Sequence, residues 1–270
     1  MRKLFKYMVV GSLLTFGSTA CADLEVANLN DPDQGLALAS PDDVISLIGG
    51  SFNSWFYGNY SYFSAGMALS NAAFQHNAPW ANSGMEKYAR LPRIAFINGI
   101  SDGDYNYMTR SWFYSYRAIA AVADGLRALN DPAIAAELTD DEVGSARAFG
   151  RFVQGMSHAT VAVLFGSGFA IDETSELADA SGAPIPQEVL SYADLMNVAM
   201  GYFDDAIQLS EGASWTLPLD WMQLALTGPD LAKVAYSMKA RYTAANARTP
   251  AERQALNWTE TVSYTHLTLP

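Results

Sequence analysis

The chain has 270 residues, 50% of them hydrophobic, enough for a sizeable core and incompatible with wholesale disorder. Its 16 Lys and Arg face 28 Asp and Glu, and a net charge of −12 argues against a nucleic-acid partner, whose phosphates demand clustered bases. One cysteine permits no disulfide within the chain, and with three histidines it leaves little material for a transition-metal site.

The first 20 residues read as an export signal: Arg2, Lys3 and Lys6 precede an apolar run from Met8 to Phe16. That run is shorter than the roughly 20 residues a bilayer span requires. Small residues Ser18, Thr19 and Ala20 lead to Cys21. Ordinary signal-peptidase cleavage at Ser18-Thr19-Ala20, or at Ala20-Cys21-Ala22, is one outcome. The other is a lipobox with Cys21 acylated, although Ser18 stands where leucine is usual. A lone thiol in an exported protein is otherwise a reactive orphan, which favours the lipobox. Two or more acyl chains on Cys21 suffice for stable membrane attachment. Residues 21–39 hold Asn28, Asn30, Asp31, Pro32, Asp33 and Gly35, the turn-rich composition of an extended tether.

Helix signals follow in series. Ser40-Pro41-Asp42-Asp43 supplies a cap, a proline at the first helical position and acidic first-turn residues, predicting a helix to about Phe56. Gly49 and Gly50 weaken its continuity. From Trp112 the apolar positions Tyr116, Ile119, Ala123 and Leu126 recur at helical spacing as far as Leu129. Thr139 with Glu142 forms a capping box and opens a second long helix, with Ala146, Phe149, Val153, Met156, Thr160 and Val163 on one stripe, closed by Gly166. A third is predicted from about Glu188 to Gly212, and a fourth from Gly228-Pro229-Asp230 to about Ala247. Thr249 and Glu252 repeat the capping box and open a fifth. Arg93 to Ile97 is the best strand candidate in a chain nearly devoid of alternation. The fold class is therefore all-α, a stack of helices whose small stripe residues (Ala146, Gly150, Ala199, Ala235) allow close approach.

The final residues, 261–270, look like translated sequencing-adapter read-through (Val262-Ser263-Tyr264-Thr265-His266-Leu267-Thr268-Leu269-Pro270), so His266 and Tyr264 carry no functional weight here.

No catalytic set stands out. There is no G-x-S-x-G, and His76 and His158 lack the i,i+4 partner of a metal-binding helix. His158, on a helical stripe, reads as a structural histidine. Asp102-Gly103-Asp104-Tyr105-Asn106 opens like a calcium loop but has Phe113 where the closing acid belongs, so it reads as a turn. Asp140, Asp141 and Glu142 complement a helix dipole, and Asp204 and Asp205 read as a solvated face. What does stand out is aromatic and amide density. Residues 52–63 (Phe52-Asn53-Ser54-Trp55-Phe56-Tyr57-Gly58-Asn59-Tyr60-Ser61-Tyr62-Phe63) form one cluster, read first as packing at helix ends. Asn77-Ala78-Pro79-Trp80-Ala81-Asn82 and Tyr105-Asn106-Tyr107 form two more. Flat rings can stack on the C–H faces of sugars while amides meet the hydroxyls.

The order of pieces carries a resemblance. Asn28-Leu29-Asn30-Asp31-Pro32 follows the cysteine. Then come Trp112-Phe113-Tyr114-Ser115-Tyr116-Arg117-Ala118-Ile119, Arg147-Ala148-Phe149 with Val163-Leu164-Phe165-Gly166, Tyr192-Ala193-Asp194-Leu195, Phe203-Asp204-Asp205-Ala206 and Ser237-Met238-Lys239-Ala240-Arg241-Tyr242. Together, from Cys21 to Trp258, they resemble the first half of the SusD/RagB family of outer-membrane nutrient-binding lipoproteins. Asp23 and Glu25 resemble the acidic surface-export signal of Bacteroidota-type lipoproteins. The resemblance implies a tetratricopeptide-like α-α superhelix over 40–260, truncated relative to the family. It implies lipidation at Cys21, an outer-membrane and surface-facing location, no enzymatic activity and no cofactor. It further implies capture of an oligosaccharide or peptide and its transfer to a SusC-like TonB-dependent transporter. Family members place ligand contacts in the loop after their second helix, which nominates Asn77, Trp80 and Asn82. The family's Gly-Asp-Val-Pro is replaced here by Gly166-Ser167-Gly168-Phe169, so this loop is expected to meet ligand or partner differently. A periplasmic protein-interaction scaffold is the first rival reading, and a secreted helical glycosidase the second.

Overall fold

The computed structural model describes residue 38 and residues 40–76, 85–92, 99 and 106–266. Cys21, the export signal, nearly all of the tether, the Arg93–Ile97 strand candidate and the Asp102 turn lie outside the described residues.

Local signals set the helix starts. In α1 (Pro41–Tyr60), Ser40 Oγ accepts from Asp43 N at 3.2 Å, and proline occupies the first turn where no donor is needed. The helix runs one turn beyond Phe56. Gly49 does not interrupt it: any Cβ there would collide with the Trp221 indole, so glycine admits a large ring against the backbone. Helices α2 (Ala65–Ala72) and α3 (Met85–Ala89) follow. Helix α4 spans Asn106–Leu129 and so begins well before Trp112. A short α5 (Pro132–Ala135) is capped by Asp131. Both arms of the predicted capping box start α6 (Asp140–Leu164): Glu142 N donates to Thr139 Oγ1 at 3.2 Å and Thr139 N to Glu142 at 2.8 Å.

The third predicted helix starts later than Glu188. Leu190–Ser191 instead forms β2, paired antiparallel with β1 (Ser167–Gly168), and α7 occupies Tyr192–Ser210. Ser191 Oγ accepts from Asp194 N at 3.2 Å, so the true cap is a serine three residues further on. Then come α8 (Leu219–Met222), α9 (Gly228–Asn246), α10 (Pro250–Ala255, with the second capping box) and α11 (Trp258–His266).

Helix α1 packs on α4, α4 on α6, α6 on α7, and α7 on α9. Helix α6 also touches α1 and α9, so it is the axis of the stack. Its stripe residues Ala146, Phe149, Val153 and Met156 are buried as expected. So are Gln154, Ser157, His158 and Thr160, because neighbours surround α6 on more than one side. Rings thread this core in sequence: Phe52 meets Phe149 at 6.3 Å between centroids, Phe152 meets Phe203 at 6.1 Å, and Phe203 stacks on Tyr242 at 6.1 Å. A second, smaller core gathers Ala68, Met85, Tyr88 and Tyr107. Among the described residues, no helix is long and apolar enough to cross a membrane.

The loop after α6 is tied down. Tyr116 Oη accepts from Phe169 N at 2.6 Å and donates to Phe169 O at 3.1 Å, and burial raises the phenol's pKa. His158 Nδ1 lies 2.8 Å from Gln154 O, so it carries the proton, and Nε2 accepts from Ile171 N at 3.3 Å. Burial drives that imidazole down to about 4, against the raising pull of the Gln154 carbonyl and the Asp172 charge. Arg151 grips Glu173 through two nitrogens, at 2.5 and 3.1 Å, and Tyr202 donates to Asp172 at 3.2 Å. His158 is thus structural, as its stripe position implies. Asp204 is not simply a solvated residue: it is the salt-bridge partner of Lys239, a lysine almost fully buried on α9.

Candidate functional site

A cavity of about 950 Å³ opens where the C-terminal end of α1 meets α2, the last turns of α6 and the C-terminal part of α9. The volume lies in the range that holds small-molecule ligands. Trp55, Tyr60 and Tyr62 supply aromatic wall, and Ala65, Met67 and Leu69 face them from α2. Thr160, Val163 and Leu164 arrive from α6, and Arg241 and Tyr242 from α9.

One hydroxyl organises the floor. Thr160 Oγ1 donates to Met156 O at 2.7 Å, which spends its proton. It therefore accepts from Trp55 Nε1 at 2.9 Å and from Tyr242 Oη at 3.0 Å. The polar tips of both rings are satisfied at one point on α6, and their orientation is locked. Burial pushes the Tyr242 phenol up to about 12, so it stays protonated and able to donate. Trp55 meets Tyr60 edge-on at 5.6 Å, and Phe56 stacks on Tyr60 at 5.4 Å. Phe56, Tyr60 and Tyr62 are each about half exposed, so aromatic surface continues from the cavity outwards.

Polar groups on the walls are few. Arg241 Nη2 donates to Tyr60 Oη at 3.1 Å. Asn59 Nδ2 donates to Trp55 O at 2.8 Å, while its Oδ1 is buried and has no hydrogen-bond partner among the described residues. Asn71 Oδ1 is in the same condition. Both oxygens are closed off from solvent, and no described residue donates to either. The described lining residues include no Asp or Glu, and hence no pair of carboxylates for acid–base work.

The nominated residues Asn77, Trp80 and Asn82 lie outside the described residues, as does Cys21. The residues bracketing that segment, His76 and Met85, both line the cavity. The cluster at 52–63 divides between roles. Phe52 and Trp55 pack into the main core, while Phe56, Tyr57, Tyr60 and Tyr62 remain half exposed. Thr160, Arg241 and Tyr242 were not legible as site residues: Thr160 lay on an apolar stripe, and no local signal joins positions about 80 residues apart.

No protein-family model matches the chain, and no curated protein matches it. A search of solved structures finds a SusD superfamily protein from Bacteroides vulgatus, with a TM-score of 0.50 and 16% identity over 84% of this chain. The match takes in 42% of that protein, so the chain spans less than half its length. The helical stack read from the sequence is thereby borne out as architecture: this chain has a SusD-like, all-α fold.

Proposed function

We propose that the protein is a non-catalytic lipoprotein that binds an oligosaccharide at the α1–α2–α6–α9 cavity and passes it to a SusC-like TonB-dependent transporter. In this reading Cys21 carries the lipid, the protein faces outwards from the outer membrane, and no cofactor takes part. The observation that carries it is the cavity itself: aromatic walls held rigid by Thr160, exposed rings leading away from the mouth, and a few amide groups between them. Such a surface suits sugar rings, whose apolar faces stack on aromatics while their hydroxyls seek amide partners. The SusD-like fold supports the transport role by likeness alone. Peptides share part of this chemistry, since their apolar side chains and backbone amides also suit aromatic walls with a few polar groups.

The test is a glycan and peptide array followed by titration calorimetry on the full-length protein. Binding of an oligosaccharide, weakened by Tyr60→Ala, is the expected result. Absence of binding to every glycan and peptide refutes it. Co-purification of a soluble partner in place of a transporter barrel would point to the interaction scaffold instead.

A further inference from the structure

We infer that the cavity is built for a carboxylate-bearing saccharide, with Arg241 as the residue that receives the carboxylate. The assignment rests on the binding reading above and narrows its ligand. Two independent observations support it.

The first is electrostatic. The chain has a net charge of −12, yet the described lining residues carry no carboxylate and do carry the Arg241 guanidinium. Several of the protein's cations are neutralised in place, Arg127 by Asp124, Arg151 by Glu173, Lys233 by Asp230 and Lys239 by Asp204, while Arg147 and Arg248 spend two or more of their donors on neutral oxygens. Arg241 forms no ion pair among the described residues. Its recorded partner is the neutral Tyr60 hydroxyl, which occupies one nitrogen and leaves the other donors of the fork for a ligand. In an acidic protein an anionic ligand is repelled at long range, so a site for one requires a local cation and the removal of nearby acids. A planar guanidinium beside an aromatic wall suits a carboxylate through paired N–H donors.

The second is placement. Arg241 Nη2 bonds the hydroxyl of Tyr60, whose ring is about half exposed, so the guanidinium stands at the edge of an aromatic stacking surface. A uronate ring offers an apolar face for Tyr60 and an anion for Arg241; a neutral sugar leaves the last unused.

The experiment is titration calorimetry on the full-length protein. The probes are tetrasaccharides of galacturonate, glucuronate and mannuronate, their methyl esters, neutral maltotetraose and xylotetraose, and a tetrapeptide with a free C-terminus. The esters keep the ring and remove only the charge. Expected is binding of at least one uronate, weakened about tenfold or more by esterification. Arg241→Gln should remove the same factor from the acid and a smaller one from the ester, which loses only the Tyr60 tether, while Arg241→Lys restores part of the acid's loss. Arg241 is exposed, and equal thermal melts of the variants confirm that folding is intact. Acid and ester bound alike, or a preference untouched by Arg241→Gln, overturns the charge assignment while the nutrient-binding reading stands. Binding of only neutral sugars, or only the peptide, overturns the acidic-saccharide assignment. Binding of nothing on the panel removes the oligosaccharide reading with it.

Discussion

Thr160→Val is the sharpest probe of the cavity floor. Valine keeps the shape of threonine and removes one oxygen, so packing barely changes while two buried donors, Trp55 Nε1 and Tyr242 Oη, lose their acceptor. A buried donor left unpaired costs about 1–3 kcal/mol. Two would cost about 2–6 kcal/mol, and the Tyr242 hydroxyl can relieve part of its share by rotating towards the cavity, which leaves about 2–4 kcal/mol. The backbone oxygen of Met156 loses a second bond that helix geometry had not required, a small correction. Thr160→Ser keeps the hydroxyl and gives up one methyl, worth about 1 kcal/mol. Urea denaturation of both variants, with unchanged m-values, measures the difference. Trp55→Phe removes one donor from the other side. The double variant should therefore recover about 1 kcal/mol or more of coupling relative to the sum of the singles. If Thr160→Val is no more destabilising than Thr160→Ser, or if the cycle shows no coupling, the three-way hydroxyl is not what holds the rings.

Three further outcomes follow from the fold. His158 is neutral in the native state down to about pH 4 but titrates near 6.5 when unfolded, so the unfolded chain binds the extra proton between those values. Stability should fall as pH drops from 6.5 towards 4, by up to about 3 kcal/mol, and a urea-midpoint series on His158→Gln should lose that slope. Gly49→Ala and Gly50→Ala should diverge. The first drives a methyl into Trp221 and costs about 1–3 kcal/mol, while the second fills open space on a helix and gains about 0.5–1 kcal/mol, both read by thermal melting. Arg248 donates to the carbonyls of Ala162 and Phe165 at the end of α6 and lies 3.8 Å over the Tyr192 ring. Arg248→Lys should lower stability by about 1–2 kcal/mol, since an ammonium reproduces neither the fork nor the stacking.

The parts of this fold legible in the sequence are those decided within four residues. Ser40 with Pro41, Thr139 with Glu142 and Thr249 with Glu252 announce their helices because a cap is satisfied by its own first turn. Ser191 with Asp194 is the same local pattern as Ser40 with Asp43, but helical spacing that begins at Val189 masked it; what ends the helix there is the pairing of Leu190 with Gly168, a contact across 22 residues that no local pattern encodes. The start of α4 was missed although Met108, buried and four residues before Trp112, continues its stripe; Tyr107 beside it serves the smaller core, so the first turn divides its apolar residues between two faces. The site is the extreme case. Aromatic density around Trp55 could be seen, but the residues that turn it into a cavity come from α6 and α9, and only packing brings them together.

The two cores described above divide the cavity between them. Trp55, Thr160 and Tyr242 stand on the large core and can shift only if the central helix shifts. The opposing wall on α2 leans on a cluster of four buried residues, Ala68, Met85, Tyr88 and Tyr107. The chamber is thus anchored unequally: one wall is tied to the body of the helical stack, while the other is held by four side chains, so a single truncation such as Tyr107→Ala should disturb the second wall far more than the first.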